Sequence, residues 1–249
     1  MKISVITATY NSEKNITECL HSVAIQTYKN IEHIIIDGGS TDRTLEIIKS
    51  AHSVAKYISE PDNGIYDALN KGISLTTGDV IGFLHSDDSI GSSGIIQKIA
   101  ELFSQKNIQG VYGDLVFVHS ENPDKIVRTW KSKRFDRKNI KYGWMPPHPT
   151  LYLRKEIYQK HGPFDTSFKI AGDYNFMVSV MKDKEINLAY LPEIITKMRM
   201  GGASTGSVKG ILTKSKEDIR ALKNNGFKFP YLILAAKNLR KLPQLFKRY

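Results

Sequence analysis

The sequence predicts an α/β fold, with a mostly parallel central sheet flanked by helices and a basic helical C-terminal tail. Three observations carry this. Short β-branched runs alternate with segments of helical spacing; each run ends in a turn rich in Asp, Asn, Gly or Ser; and positive charge gathers at the end of the chain. At 249 residues and 41% hydrophobic content, the chain is long enough for one substantial core and too short for two large domains.

The elements come in order along the chain. Ile3 to Ala8 is a β-branched run that stops at Tyr10-Asn11-Ser12, a strand entering a polar turn. Ile16, Cys19, Leu20, Val23 and Ala24 recur at helical spacing, which predicts a helix over Glu13 to Tyr28. Ile31 to Ile36 is a second strand, ending in Asp37-Gly38-Gly39-Ser40, and Thr41 to Ala51 a second helix. Val54 to Ser59 is a strand, and Glu60-Pro61-Asp62-Asn63-Gly64 a turn that opens a helix over Ile65 to Leu75. Val80 to Leu84 is continuously apolar and bounded by turn residues, so it reads as a buried central strand running into His85-Ser86-Asp87-Asp88. A helix over Gly94 to Phe103 and strands over Val111 to Val118 and Leu151 to Leu153 come next. Gly172-Asp173-Tyr174 opens a helix running to Lys182. A parallel sheet of this kind binds ligands beyond the carboxyl ends of its strands, so Thr9 to Ser12 and Asp37 to Ser40 face the ligand.

The net charge of +11 is unevenly placed. Residues 207–249 hold eleven Lys and Arg against Glu217 and Asp218, and Lys125 to Lys141 hold eight against Asp136; the rest of the chain is mildly acidic. This divides the chain into a domain over residues 1–206 and a basic extension over 207–249. A partner made of nucleic acid is excluded, because no zinc-finger spacing or RNA-binding aromatic signature accompanies the charge. The single Cys19 rules out an internal disulfide and any cysteine-built metal site. The first residues read as a strand rather than a signal peptide, and the late apolar run Tyr231 to Ala236 is far short of the ~20 residues that span a bilayer. Absence of G-x-G-x-x-G after the first strand, of a phosphate-cradling G-x-x-x-x-G-K-[ST] loop and of a G-x-S-x-G elbow removes NAD enzymes, P-loop ATPases and the commonest hydrolases of such sheets.

Asp87 and Asp88 come directly after a buried strand and make a hard-oxygen site on a rigid edge. Such a pair suits Mn2+ or Mg2+, with the remaining coordination left to water and a substrate diphosphate. The alternative is that Asp88 and Ser89 cap the next helix. Asp37 before Gly-Gly suits contact with a nucleobase or ribose, or a turn.

Five segments occur in a recognisable order and spacing: Ile6-Thr7-Ala8-Thr9-Tyr10-Asn11; Asp37-Gly38-Gly39-Ser40-Thr41-Asp42; Glu60-Pro61-Asp62-Asn63-Gly64-Ile65-Tyr66-Asp67-Ala68-Leu69-Asn70-Lys71-Gly72; Ser86-Asp87-Asp88; and Ala171-Gly172-Asp173-Tyr174. Together they resemble the family-2 glycosyltransferases of the GT-A fold, from residue 3 to about Ser204, and most closely the bacterial enzymes that build O-antigen, capsule or colanic-acid repeat units.

The resemblance implies a donor site and a base. Tyr10 would lie near the nucleobase of a UDP, GDP or dTDP sugar, Thr7 and Asn11 would line the donor pocket, and Asp37 would hydrogen-bond the base. Asp62, Asn63 and Asp67 would line the donor side. Asp87 would face the donor sugar or ribose and Asp88 the metal, although His85 stands where many relatives have an acid. Asp173 matches the base that takes the acceptor proton in an inverting transfer, with Gly172 replacing the first acid of a common Glu-Asp pair; the alternative for Asp173 is a helix cap. His148 in Pro147-His148-Pro149 would meet acceptor or phosphate. Arg199 and Gly201 to Ser204 resemble a closing loop that meets the diphosphate.

In the tail, Leu232, Ala235, Ala236, Leu239 and Leu242 share a helical face opposite Lys237 and Lys241, with Ile233 and Leu234 blurring it. That pattern suits an anionic membrane surface or packing on the domain. The expected activity is inverting, metal-dependent transfer of a sugar to a glycan or lipid-diphosphate-linked acceptor at the cytoplasmic membrane face. A nucleotidyl- or phosphotransferase, and a non-catalytic membrane-associated scaffold, are the alternatives.

Overall fold

A computed structural model describes residues 1–201 and 208–240 of the chain. Nine strands and eight α-helices occur among them. They are β1 (Ile3–Thr9), α1 (Ile16–Ala24), β2 (Ile31–Asp37), α2 (Thr44–Ser50), β3 (Val54–Ser59), α3 (Ile65–Leu75), β4 (Val80–Phe83), β5 (Ser89–Ile90), α4 (Ile95–Phe103), β6 (Gly110–Val118), β7 (Ile126–Trp130), β8 (Tyr152–Arg154), α5 (Lys155–His161), α6 (Gly172–Lys182), β9 (Leu188–Arg199), α7 (Val208–Asn224) and α8 (Pro230–Leu239).

The strands form one sheet in the order β3-β2-β1-β4-β8-β6-β9-β5, with β7 paired to β6 off this path. The first four strands are parallel, as the alternating pattern requires. Beyond β4 the pairing is mixed: β8 lies antiparallel between β4 and β6, while β9 runs parallel to β6. Alternation along β1 divides the core. Ile3 and Val5 face the layer of α1 and α4, whereas Ile6 faces the layer of α3, α5 and α6. Gly82 in β4 leaves room for the buried Tyr152 ring of β8; a Cβ there would lie 2.2 Å from a ring carbon.

Three features were not read from the sequence. The first helix begins at Ile16 rather than Glu13 because the Asn15 and Ile16 N–H groups close a turn on the Ser12 carbonyl. The basic Lys125 to Lys141 segment carries structure of its own: β7 takes its first half, and a 3-10 helix over Arg137–Tyr142 its second. The longest strand, β9, breaks the alternating pattern with Pro192 and shifts register against β6 twice.

The tail helices pack on the domain. Ala221 and Leu222 of α7 and Ile233 of α8 are fully enclosed in the α6 layer. Helix α8 approaches the turn at Gly143 so closely that a Cβ there would meet the Lys237 nitrogen at 2.4 Å. The side that packs is the one bearing Lys237, not the apolar face. Lys237 turns inward onto the Tyr174 ring and pairs with Asp218 at 2.9 Å, while Leu232 and Leu239 are 69% and 64% exposed. Lys241 and Leu242 lie outside the described residues.

Candidate active site

The carboxyl ends of β1, β2, β3 and β4 lie on one edge, with Thr9 paired to Asp37, Asp37 to Ser59 and Ile6 to Phe83. The turns beyond them are therefore brought together. Asn11 adopts the left-handed conformation at φ 47°, which Asn tolerates better than most residues. Its N–H donates to Ser40 Oγ at 2.8 Å, and its Oδ1 accepts from the Thr41 N–H at 2.9 Å, so the first two turns are cross-linked.

Tyr10 stands beside them, 62% exposed. Gly38 decides how near the third turn can come: a Cβ on it would lie 3.0 Å from Asp62 Oδ2 and 3.5 Å from the Tyr10 ring. Tyr10, Gly38 and Asp62 thus form a slot with an aromatic wall and a carboxylate. Lys71 sits behind it, 2.8 Å from both Glu60 and Asp62 and 3.6 Å from Asp67. Bonds to Asp62 and then Glu60 raise its ammonium pKa above the ordinary value, keeping a cation among three carboxylates. Asp67 in turn accepts the Asn63 N–H at 3.0 Å.

Thr7 and Asp37 are placed differently from these. Thr7 shares the face of Ile3 and Val5, two residues short of the strand's end; its hydroxyl is buried between His33 Nε2 at 3.0 Å and Cys19 Sγ at 3.8 Å. It is not brought to the edge. Asp37 is at the edge but fully buried, its carboxylate accepting from the Ser40 N–H and hydroxyl and from Ser59 Oγ at 2.6 Å. It builds the Gly38 to Ser40 turn.

The acidic pair comes after β4. Asp87 is partly exposed and lines an open cleft of about 440 Å³ shared with Asn11, Ser12, Asp42 and Ser86. Asp88 is buried. Its Oδ1 accepts the Arg199 N–H at 3.1 Å, because β5 pairs with the end of β9, and its Oδ2 has no hydrogen-bond partner. Burial, then the charge of Asp87, push this carboxyl well above the usual range. A buried oxygen without a partner is costly, and a divalent cation is one group that would satisfy it. The donor set fits such an ion held by one or two protein carboxylates, with a diphosphate completing the shell. No cluster of three or more His, Cys, Asp or Glu stands ready to hold a metal among the described residues. Arg199 meets the pair through its backbone, since its guanidinium is occupied by Glu18 and by the Ser120 carbonyl at 2.5 Å.

Asp173 is the second residue of α6 and keeps 32% of its side chain exposed. Its Oδ1 lies 3.1 Å from the Tyr66 hydroxyl, which is also 2.7 Å from the Ile170 carbonyl. Burial, and then Asp173 itself, raise the Tyr66 pKa, so the phenol remains a donor. His148 Nδ1 stands 3.7 Å from Asp173 Oδ2, its ring stacked on Phe83 at 5.9 Å and 28°. Burial lowers its pKa, which favours neutral imidazole. Ser204 lies outside the described residues.

Tyr66, Lys71 and Gly172 were not singled out by residue chemistry. Tyr66 read as one more apolar position of α3, and only its partnership with Asp173, a hundred residues later, gives it a role. Gly172 carried a signal in being the residue that departs from the acid pair; Tyr66 fills the space that a side chain there would need.

Comparison with known proteins identifies the family and the fold. The sequence profile of glycosyl transferase family 2 matches residues 4–164. A PGL/p-HBAD biosynthesis glycosyltransferase of Mycobacterium bovis is 26% identical over 213 residues, covering 82% of this chain and 79% of that protein. S. aureus TarS residues 1–349 in complex with UDP superposes with a TM-score of 0.71 at 21% identity over 98% of this chain and 72% of that one, and the chain spans 44% of a longer TarS structure. A mannosyltransferase of Pyrobaculum calidifontis in complex with GDP-Man and Mn2+ superposes at 0.68 with 16% identity, over 98% of this chain and 73% of that one. The family match over residues 4–164 makes the chain a glycosyltransferase of family 2, and the structural likenesses give it the GT-A fold.

Proposed function

We propose that this chain transfers a sugar from a nucleoside-diphosphate donor with inversion, using Asp173 as base and the Asp87-Asp88 pair to hold Mn2+ or Mg2+. The observation that carries the reading is the partnerless buried oxygen of Asp88 on the edge that also bears the Tyr10, Gly38 and Asp62 slot. The base and ribose enter that slot. Asn11 and Asn63 flank it, with Asp67 and Lys71 fixing the third turn, and Asp37 serves by holding the second turn in shape. When bound, the cation neutralises charge growing on the departing diphosphate.

Asp173 takes the proton of the acceptor hydroxyl as that oxygen attacks the anomeric carbon opposite the leaving group. The Tyr66 hydroxyl fixes one of its oxygens and leaves the other, facing His148, for the acceptor. His148, neutral and stacked on Phe83, shapes the acceptor side. Known neighbours of the fold bind UDP or GDP-Man, which supports a nucleotide-sugar donor. The M. bovis relative is named for PGL/p-HBAD biosynthesis, and a lipid-linked acceptor of surface glycan synthesis fits the exposed apolar face of α8, on the inner leaflet of the cytoplasmic membrane. No helix among the described residues is long and apolar enough to cross a bilayer.

The test is a panel of UDP, GDP and dTDP sugars with Mn2+, reading nucleoside diphosphate release with and without chelator. Release that depends on metal, and that is lost in Asp173→Asn while calorimetry still detects nucleotide binding, supports the reading. Turnover indifferent to chelator removes the metal, and near-parental turnover in Asp173→Asn removes the base.

A further inference from the structure

We propose that Glu217, on α7, is a positioning residue for Asp173, so that the C-terminal extension forms part of the catalytic apparatus. The inference rests on the reading of Asp173 as base. Glu217 Oε1 accepts the Lys169 N–H at 2.9 Å, and its Oε2 accepts those of Ile170 at 2.9 Å and Ala171 at 2.8 Å. These are the residues immediately before α6, whose own N-cap, Ala171, offers no side chain to the helix. One half-buried carboxylate thus gathers three consecutive backbone donors. Charge-assisted bonds of this kind are short and directional.

The Ile170 residue is held from both sides. Glu217 takes its N–H, and the Tyr66 hydroxyl lies 2.7 Å from its carbonyl and 3.1 Å from Asp173 Oδ1. The loop therefore fixes where α6 begins and where the base points.

Two other residues of the tail grip the same stretch. Arg220 stacks on Phe168 at 3.6 Å and donates to Ser167 Oγ at 3.0 Å, and Lys237, paired with Asp218, sits 3.3 Å over the Tyr174 ring. Those contacts bind side chains; Glu217 binds the backbone that leads into Asp173.

Glu217→Gln isolates the effect. The amide has the same length but one acceptor oxygen, and its NH2 would face backbone donors, so at least one of the three bonds is replaced by a donor set against a donor. A base displaced by about 1 Å costs on the order of 100-fold in rate. The experiment uses the full chain and hydrolysis of UDP-N-acetylglucosamine or GDP-mannose with Mn2+, well below the melting temperature, with UDP and GDP affinity measured alongside. The expected result is a kcat lowered at least about tenfold, with donor KM and nucleotide affinity within about twofold of the parent. A kcat within twofold of the parent, or an equal loss of nucleotide affinity, would overturn the proposal.

Amide hydrogen exchange on the unaltered protein gives a test that needs no variant. Ile170 and Ala171 should exchange as slowly as the amides from Asn175 onward in α6, and exchange at open-loop rates overturns the proposal. Asp173→Asn in the same assay separates the two readings. If it is inactive while Glu217→Gln is fully active, the positioning role alone fails; if it keeps its turnover, the base reading fails and this inference with it.

Discussion

Gly172 and Tyr66 occupy one another's space: a Cβ on Gly172 would lie 2.8, 2.9 and 2.9 Å from three Tyr66 ring carbons. The ring is buried and its hydroxyl anchored on Ile170 and Asp173, so it cannot swing away without releasing the carboxylate. Gly172→Ala should therefore lose on both counts. Overpacking costs about 1–3 kcal/mol, against at most about 1 kcal/mol gained from helix propensity, and donor turnover should drop at least about tenfold. Thermal melts and donor hydrolysis on the same preparation check this; an alanine variant both more stable and fully active would remove Gly172 from the account.

Asp88 should show the opposite trade. Its carboxylate is buried beside Asp87 with one oxygen unpartnered. Without metal, Asp88→Asn relieves that burial and should raise stability by about 1 kcal/mol, or roughly 2–4 °C in a chain of this size. With Mn2+, the parent should bind nucleoside diphosphate at least about tenfold more tightly, and the variant should show no such gain. Calorimetric melts and nucleotide titrations with and without Mn2+ decide it. A variant that still responds to Mn2+ would move the ion elsewhere.

The parallel half of the sheet and its edge were legible because β1, β2 and β4 are short apolar runs closed by Asp, Asn, Gly and Ser, and period two with parallel pairing leaves little freedom. Tyr10, Asn11, Asp87 and Asp88 come to the edge by that pattern, whereas Asp62 follows the half-exposed β3 and was suggested only by the family resemblance. Thr7 shows the limit of motif reading: its place in the first motif suggested the pocket, but alternation along β1 turns it to Cys19 and His33. The role of Tyr66 and the grip of Glu217 on the loop before α6 depend on contacts 107 and 46 to 48 residues apart, which no local pattern encodes. Lys237 escaped for a different reason: a helical wheel assigns cations to water, whereas Asp218 and Tyr174 together make an interior site for this one.

His33 predicts a pH dependence of stability. It is buried in β2, bonded through Nε2 to Thr7, with Nδ1 unpartnered, and burial lowers its pKa from 6.5 to about 3. Between those values the unfolded chain binds a proton that the folded chain refuses. Stability from this group is therefore intact above pH 6.5 and falls as the pH drops towards 3, by at most about 1.4 kcal/mol per pH unit. His33→Gln can keep a bond to Thr7 and does not titrate in this range. Subtracting its unfolding free energy from the parent's cancels other groups, and the difference should slope upward with pH over this window. A flat difference would show that His33 is protonated in the fold.

The outward face of α8 predicts membrane attachment. Phe229, Tyr231, Leu232 and Leu239 are each more than 60% exposed, while Ile233 and the Lys237 stem on the opposite side are packed into the domain. The helix is thus anchored on one side and apolar on the other, with Lys223 and Lys228 beside Phe229, Tyr231 and Leu232 to meet anionic headgroups. Burying a leucine in the acyl boundary is worth about 1.5–3 kcal/mol, and each basic residue near an anionic surface about 1 kcal/mol. Leu232→Glu combined with Leu239→Glu should lower co-sedimentation with phosphatidylglycerol-containing vesicles by more than about tenfold, and high salt should weaken what remains. Nucleotide affinity should not change, because both side chains stand in solvent and neither belongs to the Tyr10, Gly38 and Asp62 slot. Equal sedimentation of parent and double variant would mean that this face serves another partner and that the acceptor reaches Asp173 without the membrane's help.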